Sequence, residues 1–310
     1  MKVEVVLTEA DIAQEFVEAM EARDLPEKLF FWFPRSALAW TVLQETPELY
    51  GGLQQTWREI SADAGALTAE FGKRAPAISF GAGDGSRDLM LLAALKGGGS
   101  ACSYFPVDAS QVMLELACAA ADDRDIETVG IKADISNPVH LVYAADAAES
   151  PRLFIISGNT AGSFDPLTQI RSLSQCLAQG DRLIIDGEIY DEDLTLSLRD
   201  NPHTRDFLQA MLSSIGIGPD DGEIRFDHKR DERREGLHLI ARHFRAHRDL
   251  TATVAGRAIS VQRGERIGLN FQYAYTLHAL RWLLRQHGGL EIVKEYRSPD
   301  SRFLTAICKK

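Results

Sequence analysis

The chain has 310 residues, 45% of them hydrophobic, and a formal net charge of −11. That is ordinary globular composition, long enough for one core and a smaller second lobe. The acidic balance argues against a nucleic-acid partner, and no apolar run approaches the ~18 residues of a membrane span.

From the N-terminus to about residue 74 the chain reads mostly as helix. Ile12, Phe16, Val17 and Met20 fall near helical spacing in 10–23. An aromatic cluster, LFFWFPRSALAW (29–40), precedes a turn at TPELYGG (46–52) and a helix over 54–71. From residue 76 strands and helices alternate: strand 77–81, helix 86–95, strand 101–108, helix 110–120, strand 126–134, strand 152–158, helix 166–177 and strand 181–189. This rhythm predicts βαβ units and a mostly parallel sheet. The more apolar strands at 152–158 and 181–189 suit its centre. After a helix at 203–215, the segments 224–230, 236–247, 250–256 and 266–276 read as an antiparallel, strand-rich insertion. A helix over 277–288 and strands at 290–297 and 302–309 return to α/β order.

The N-terminal MKVEVVLTEADIAQEF has acids where a signal peptide has basic residues before an apolar run. Cys102, Cys118, Cys176 and Cys308 form no CxxC pair and read as free thiols in a reducing compartment. A cytoplasmic protein is expected.

The sharpest motif is ISFGAGDGS (78–86), at a strand-to-helix junction. Gly81 and Gly83 let the backbone turn tightly against a ligand, and the helix near Ser86 aims free N–H groups at the same space. A dinucleotide dehydrogenase would place glycine at Ser86. Asp108, ending the next strand in VDAS (107–110), can accept the ribose hydroxyls of a nucleoside. It can equally cap the helix at Ser110. Asp134 in KAD (132–134) can accept from an adenine amino group beside Ile135, or cap a helix. Ser157, Gly158 and Asn159 in ISGNTAGSFDP (156–166) would face the reactive end of the ligand. His238, His243 and His247 scatter to both faces of a strand, so no metal site is expected.

ISFGAGDGS, YFPVDAS (104–110) and LFIISGNTAGSFDP (153–166) resemble successive motifs of the S-adenosylmethionine (SAM)-dependent histidine N-alpha-methyltransferases of ergothioneine biosynthesis, whose fungal relatives methylate tryptophan-derived amines. TPELYGG is similar to that family's LPEYY-like turn, and GERIGLNFQYAYT (264–276) to its GE-x-I-x-x-E-x-S-x-K-Y-T segment. The resemblance runs in order through nearly the whole chain.

It implies a Rossmann-like class I methyltransferase core over 57–196 and 276–310, with a smaller α+β substrate lobe over 1–56 and 197–275. Gly81, Ala82, Gly83, Asp108, Ala109, Asp134, Ile135, Ser157 and Gly158 would bind SAM, with Tyr50 near the shared cleft. The departures concern the acceptor. The family's GN-F step reads Gly162-Ser163-Phe164, and its substrate-contacting glutamate and serine become Asn270 and Gln272. Histidine is therefore not the expected acceptor.

Asn159, Ser163 and Tyr273 are the candidate catalytic residues. Trp32, Phe33, Asn270 and Gln272 are the candidate substrate contacts, with Phe31 and Tyr275 as further aromatic wall. The expected activity is N-methylation of a small amino acid or amine in specialised metabolism, by a monomer or homodimer, with SAM as co-substrate. One alternative is a cyclase or lyase in which the SAM amino group attacks its own Cγ, giving azetidine-2-carboxylate and methylthioadenosine. Another is a non-catalytic SAM-binding protein.

Overall fold

The computed structural model describes residues 2–65, 67, 74–232 and 234–310. Its centre is an eight-stranded sheet. Strands β2 (Arg74–Phe80), β3 (Ala101–Asp108), β4 (Glu127–Lys132), β5 (Leu153–Ile156) and β6 (Arg182–Glu188) run parallel in the order β4-β3-β2-β5-β6. Beyond β6 lie β13 (Phe303–Lys309), antiparallel to it, and β12 (Glu291–Arg297), antiparallel to β13. This is the order of a class I methyltransferase sheet, so the α/β expectation holds.

At the other edge, β1 (Lys2–Val5) pairs in parallel with β4. The sequence reading had no strand here and assigned 1–56 to the smaller lobe. Four residues are too few for periodicity to reveal a strand, and only pairing with a distant edge defines it.

Alternation along the central strands divides the apolar core. Ala77, Leu153, Ile155, Ile184 and Ile307 face one side, and Ile78, Phe154, Ile156, Ile185 and Ala306 the other. The second side is covered by α6 (Pro138–Ala145), α7 (Pro166–Cys176) and α10 (Leu277–Trp282). The first is covered by α4 (Ser86–Gly97) and α5 (Gln111–Asp122), and this core continues without a break into the smaller lobe. There α1 (Glu9–Ala22), α2 (Pro34–Gln44), α3 (Pro47–Ala62), the short α8 (Thr195–Arg199) and α9 (Pro202–Ser214) pack with the sheet β7 (Gly222–Arg230), β8 (Leu237–Ala246) and β11 (Arg266–Tyr275). A separate hairpin, β9 (Leu250–Val254) and β10 (Arg257–Val261), completes the insertion.

Local chemistry explains the element ends. Thr8 Oγ1 accepts from Asp11 N–H at 3.2 Å and Thr8 N–H donates to Asp11 Oδ2 at 3.0 Å, a reciprocal cap that starts α1. TPELYGG is not a turn but the opening of α3, with Pro47 in the first helical turn, where its missing N–H costs nothing. Its glycines serve packing: a Cβ on Gly52 would lie 2.5 Å from the Asp300 carboxylate. Of the expected helix over 54–71, α3 covers residues up to Ala62, Ala64, Gly65 and Leu67 are again helical after a turn at Asp63, and residues 66 and 68–71 lie outside the described residues.

Candidate active site

The carboxyl ends of β2, β3, β4 and β5 open onto a cleft of about 800 Å³, partly open to solvent. Its floor is the glycine loop after β2. Gly81 and Gly83 hold φ of +69° and +57°, and Gly81 has no room for a side chain: a Cβ would come within 2.6 Å of Thr160 Cγ2. Gly81 and Ala82 N–H both donate to the Val107 carbonyl, at 2.8 and 3.2 Å, clamping the loop to the end of β3.

Asp108 lines this cleft and accepts from Gly83 N–H at 3.0 Å and Ser110 N–H at 2.9 Å. Burial pushes its carboxyl up from the usual range, and these amides oppose that shift. The cap of α5 is Ser110, which accepts from Met113 N–H, so Asp108 is not consumed by capping. Likewise Asn137, not Asp134, caps α6. Asp134 accepts from Ser136 N–H and Oγ and is ion-paired to Lys28, whose ammonium also meets Glu15 at 2.7 Å. Burial alone would raise the Asp134 carboxyl, but Lys28 and Ser136 hold it below the ordinary range. Ala109, Ile135, Ser157 and Gly158 line the same cleft, as do Ser163 and Gln272.

The remaining expected site residues stand elsewhere. Asn159 is fully buried with φ +58°. Its Nδ2 donates to the Tyr273 carbonyl at 2.9 Å and its Oδ1 accepts from Glu188 N–H at 3.1 Å. The left-handed turn points this amide into the seam between β6 and β11, away from the cleft. Gly162 packs against it: a Cβ there would lie 2.7 Å from both Asn159 Nδ2 and the Tyr273 carbonyl oxygen.

Tyr273 packs edge-on against Phe271 and is not part of the cleft wall. Trp32 donates to Glu9 Oε2 and, with Phe33, packs on Phe16. Of the expected aromatic wall Phe31 lines the cleft, joined by Trp40, the two rings perpendicular with centroids 5.5 Å apart. Tyr275 is core, its hydroxyl pushed far up by burial. Tyr50 is fully buried one layer behind the cleft, where its hydroxyl accepts from Arg199 Nη1 at 2.9 Å and its ring lies 5.8 Å from the Arg87 guanidinium.

Several residues that sequence reasoning passed over complete the site. Arg87 lines the cleft with its Nε buried and without a hydrogen-bond partner among the described residues. Glu27 and Lys28 enter from the turn Glu27–Phe31. Arg242 on β8 is buried and donates to Asn270 Oδ1 at 2.8 Å and Gln272 Oε1 at 3.3 Å. A second cavity of about 1310 Å³ shares Glu27, Lys28, Ser163 and Phe164 with the first and reaches Asn270.

Cofactor chemistry can be tested against these groups. An unpartnered guanidinium N–H at Arg87 suits a carboxylate, Asp108 suits ribose hydroxyls, and Phe31 with Trp40 suits a sulfonium. The donor set fits SAM.

The family described as histidine-specific methyltransferase, SAM-dependent, matches residues 9–310. The chain belongs to this family. It is thus a SAM-dependent methyltransferase, as the motif resemblance implied, and the family does not support the cyclase alternative. No curated protein matches the chain. Among solved structures it is similar to a SAM-dependent methyltransferase from Clostridium acetobutylicum, at 14% identity and TM-score 0.44, covering 82% of this chain and 91% of that one. It is also similar to the CcbJ methyltransferase from Streptomyces caelestis, at 14% identity and TM-score 0.41, covering 82% and 88%.

Among the described residues no three or more His, Cys, Asp or Glu side chains converge as a metal site. His238 stacks on Tyr190 and is pushed down to about 4, chiefly by burial, while His243 stands beside Arg266 and Asp227. No helix of the described residues is long and apolar enough to cross a membrane.

Proposed function

We propose that this methyltransferase transfers a methyl group from SAM to the nitrogen of a small amino acid or amine other than histidine, as a step of specialised metabolism. SAM would lie over the glycine loop of the core (57–196 with 276–310), and the acceptor on the side of the smaller lobe (1–56 with 197–275). When bound, SAM supplies a methyl group already activated on sulfonium, so the protein need only position, desolvate and deprotonate the acceptor. Asp108 would accept from the ribose hydroxyls, Asp134 from the adenine amino group, and Arg87 would pair with the methionine carboxylate. Phe31 and Trp40 would exclude water from the methyl carbon.

The observation carrying the acceptor reading is Arg242. Its guanidinium engages the carbonyl oxygens of Asn270 and Gln272, the two positions where the family resemblance puts an imidazole-binding glutamate and serine. A permanently charged donor occupies that wall and takes up one lone pair of each amide oxygen, so neutral, already engaged amides stand where the family resemblance puts a charged acceptor for an imidazole. Parallel assays of histidine and a panel of other amino acids and amines, with labelled SAM, test this. Histidine should be methylated at least about 100-fold more slowly than the best acceptor, a loss in line with a removed charged hydrogen bond of about 3 kcal/mol. Histidine as the best acceptor would overturn the reading.

A further inference from the structure

Glu27 stands where the two cavities meet and lines both. The segment carrying it is fixed, because Leu25 N–H donates to the Gly268 carbonyl at 2.9 Å and Gly268 N–H to the Arg23 carbonyl at 2.8 Å. Glu27 Oε2 accepts from Asn270 Nδ2 at 2.7 Å, and Ser163 lines the same junction. Yet among the described residues no ion pair within 4.0 Å includes Glu27. Its neighbour Lys28 turns to Asp134 and Glu15, and Arg242, hydrogen-bonded to Asn270, attracts it without direct contact. A half-buried carboxylate without a contact ion pair is costly, and such groups collect at functional sites. Its cavity side is open to a cation carried by an acceptor.

We propose that Glu27 binds the acceptor ammonium at the junction of the two cavities and takes its proton during methyl transfer. This rests on the amine-methylation reading above. One acceptor N–H bond breaks and its proton goes to a Glu27 oxygen. The freed nitrogen lone pair forms the N–C bond to the methyl carbon as the C–S bond breaks, and that electron pair stays on sulfur, neutralising the sulfonium. Asn270 holds the carboxylate in place.

Ionised Glu27 is the competent form. Burial raises its carboxyl, opposed by Arg242, Asn270, Arg199 and Ser163. Activity should therefore fall as pH drops through a limb above the ordinary glutamate range.

The test compares wild type, Glu27→Gln, Glu27→Asp and the double variant Glu27→Gln with Asn270→Asp, using the best amine acceptor. Each is also titrated with S-adenosylhomocysteine by calorimetry. Glu27→Gln should lose kcat on the order of 100-fold or more, lose the acidic limb of its pH profile and keep nucleoside affinity within about threefold. The double variant, which returns a carboxylate across the same hydrogen bond, should recover part of the rate. Glu27→Gln with wild-type kcat and an unchanged acidic limb would overturn the role of Glu27 while leaving amine methylation standing. A wild type that binds S-adenosylhomocysteine but methylates no amine would overturn both.

Discussion

At the residue scale, position in the chain and direction of the side chain separate the candidates. Gly81, Asp108, Asp134 and Gly158 follow from strand-loop-helix order, which delivers strand ends to one edge of a parallel sheet. Asn159 has the same address, but its backbone at φ +58° turns the amide into the sheet seam, and no pattern in the sequence announces that. Glu27 and Asn270 meet across 243 positions, so neither identifies the other before the chain is folded. Asp108 carries the prediction at this scale. Its replacement by alanine removes charged acceptors for the nucleoside ribose, at about 1.5–3 kcal/mol. S-adenosylhomocysteine binding measured by calorimetry should weaken by about 10- to 100-fold. Unchanged affinity would remove Asp108 from the nucleoside site.

At the scale of elements, the alternating run from 77 to 189 was legible because apolar strands and amphipathic helices differ in period. The exceptions each have a cause. Residues 138–145 form α6, opened by Asn137 and Pro138 and, at eight residues, too short for helical periodicity to announce it. Leu250–Val254 and Arg257–Val261 form a hairpin around Ala255 and Gly256, both at positive φ. The junctions between elements are held by buried charge. Arg152, just before β5, donates through Nε and Nη2 to Asp181 Oδ2 at 3.1 and 2.7 Å and through Nη1 to the Ala145 carbonyl at 2.6 Å. Asp181 also accepts from Ala178 N–H and Ser150 Oγ. One pair thus ties together the ends of α6, α7, β5 and β6. Asp181→Ala leaves that guanidinium buried and unpaired, which costs about 3–5 kcal/mol. Urea unfolding should show that loss in the midpoint, and a change below about 1 kcal/mol would show that the junction is held by packing alone.

At the scale of the molecule, the apolar core on one face of the large sheet continues into the smaller lobe. Trp57 marks that continuity: it is fully buried and its Nε1 donates to Asp186, whose carboxylate also grips Gly158 and Asn159 N–H at 3.0 and 2.6 Å. Packing from the lobe therefore reaches the backbone of the loop that lines the cleft. Neither unit is read correctly alone. The nucleoside contacts we propose lie at the strand ends of the large sheet, while Glu27, Arg242, Asn270 and Gln272, which we propose face the acceptor, lie outside that sheet.

The most direct test of the account is the fate of SAM. Purified protein incubated with SAM alone, and then with pooled amines and amino acids, is analysed by mass spectrometry for the nucleoside released and the acceptor formed. The account predicts S-adenosylhomocysteine only when acceptor is present, together with an amine heavier by one or more methyl groups. Methylthioadenosine from SAM alone, above the non-enzymatic background, would contradict it.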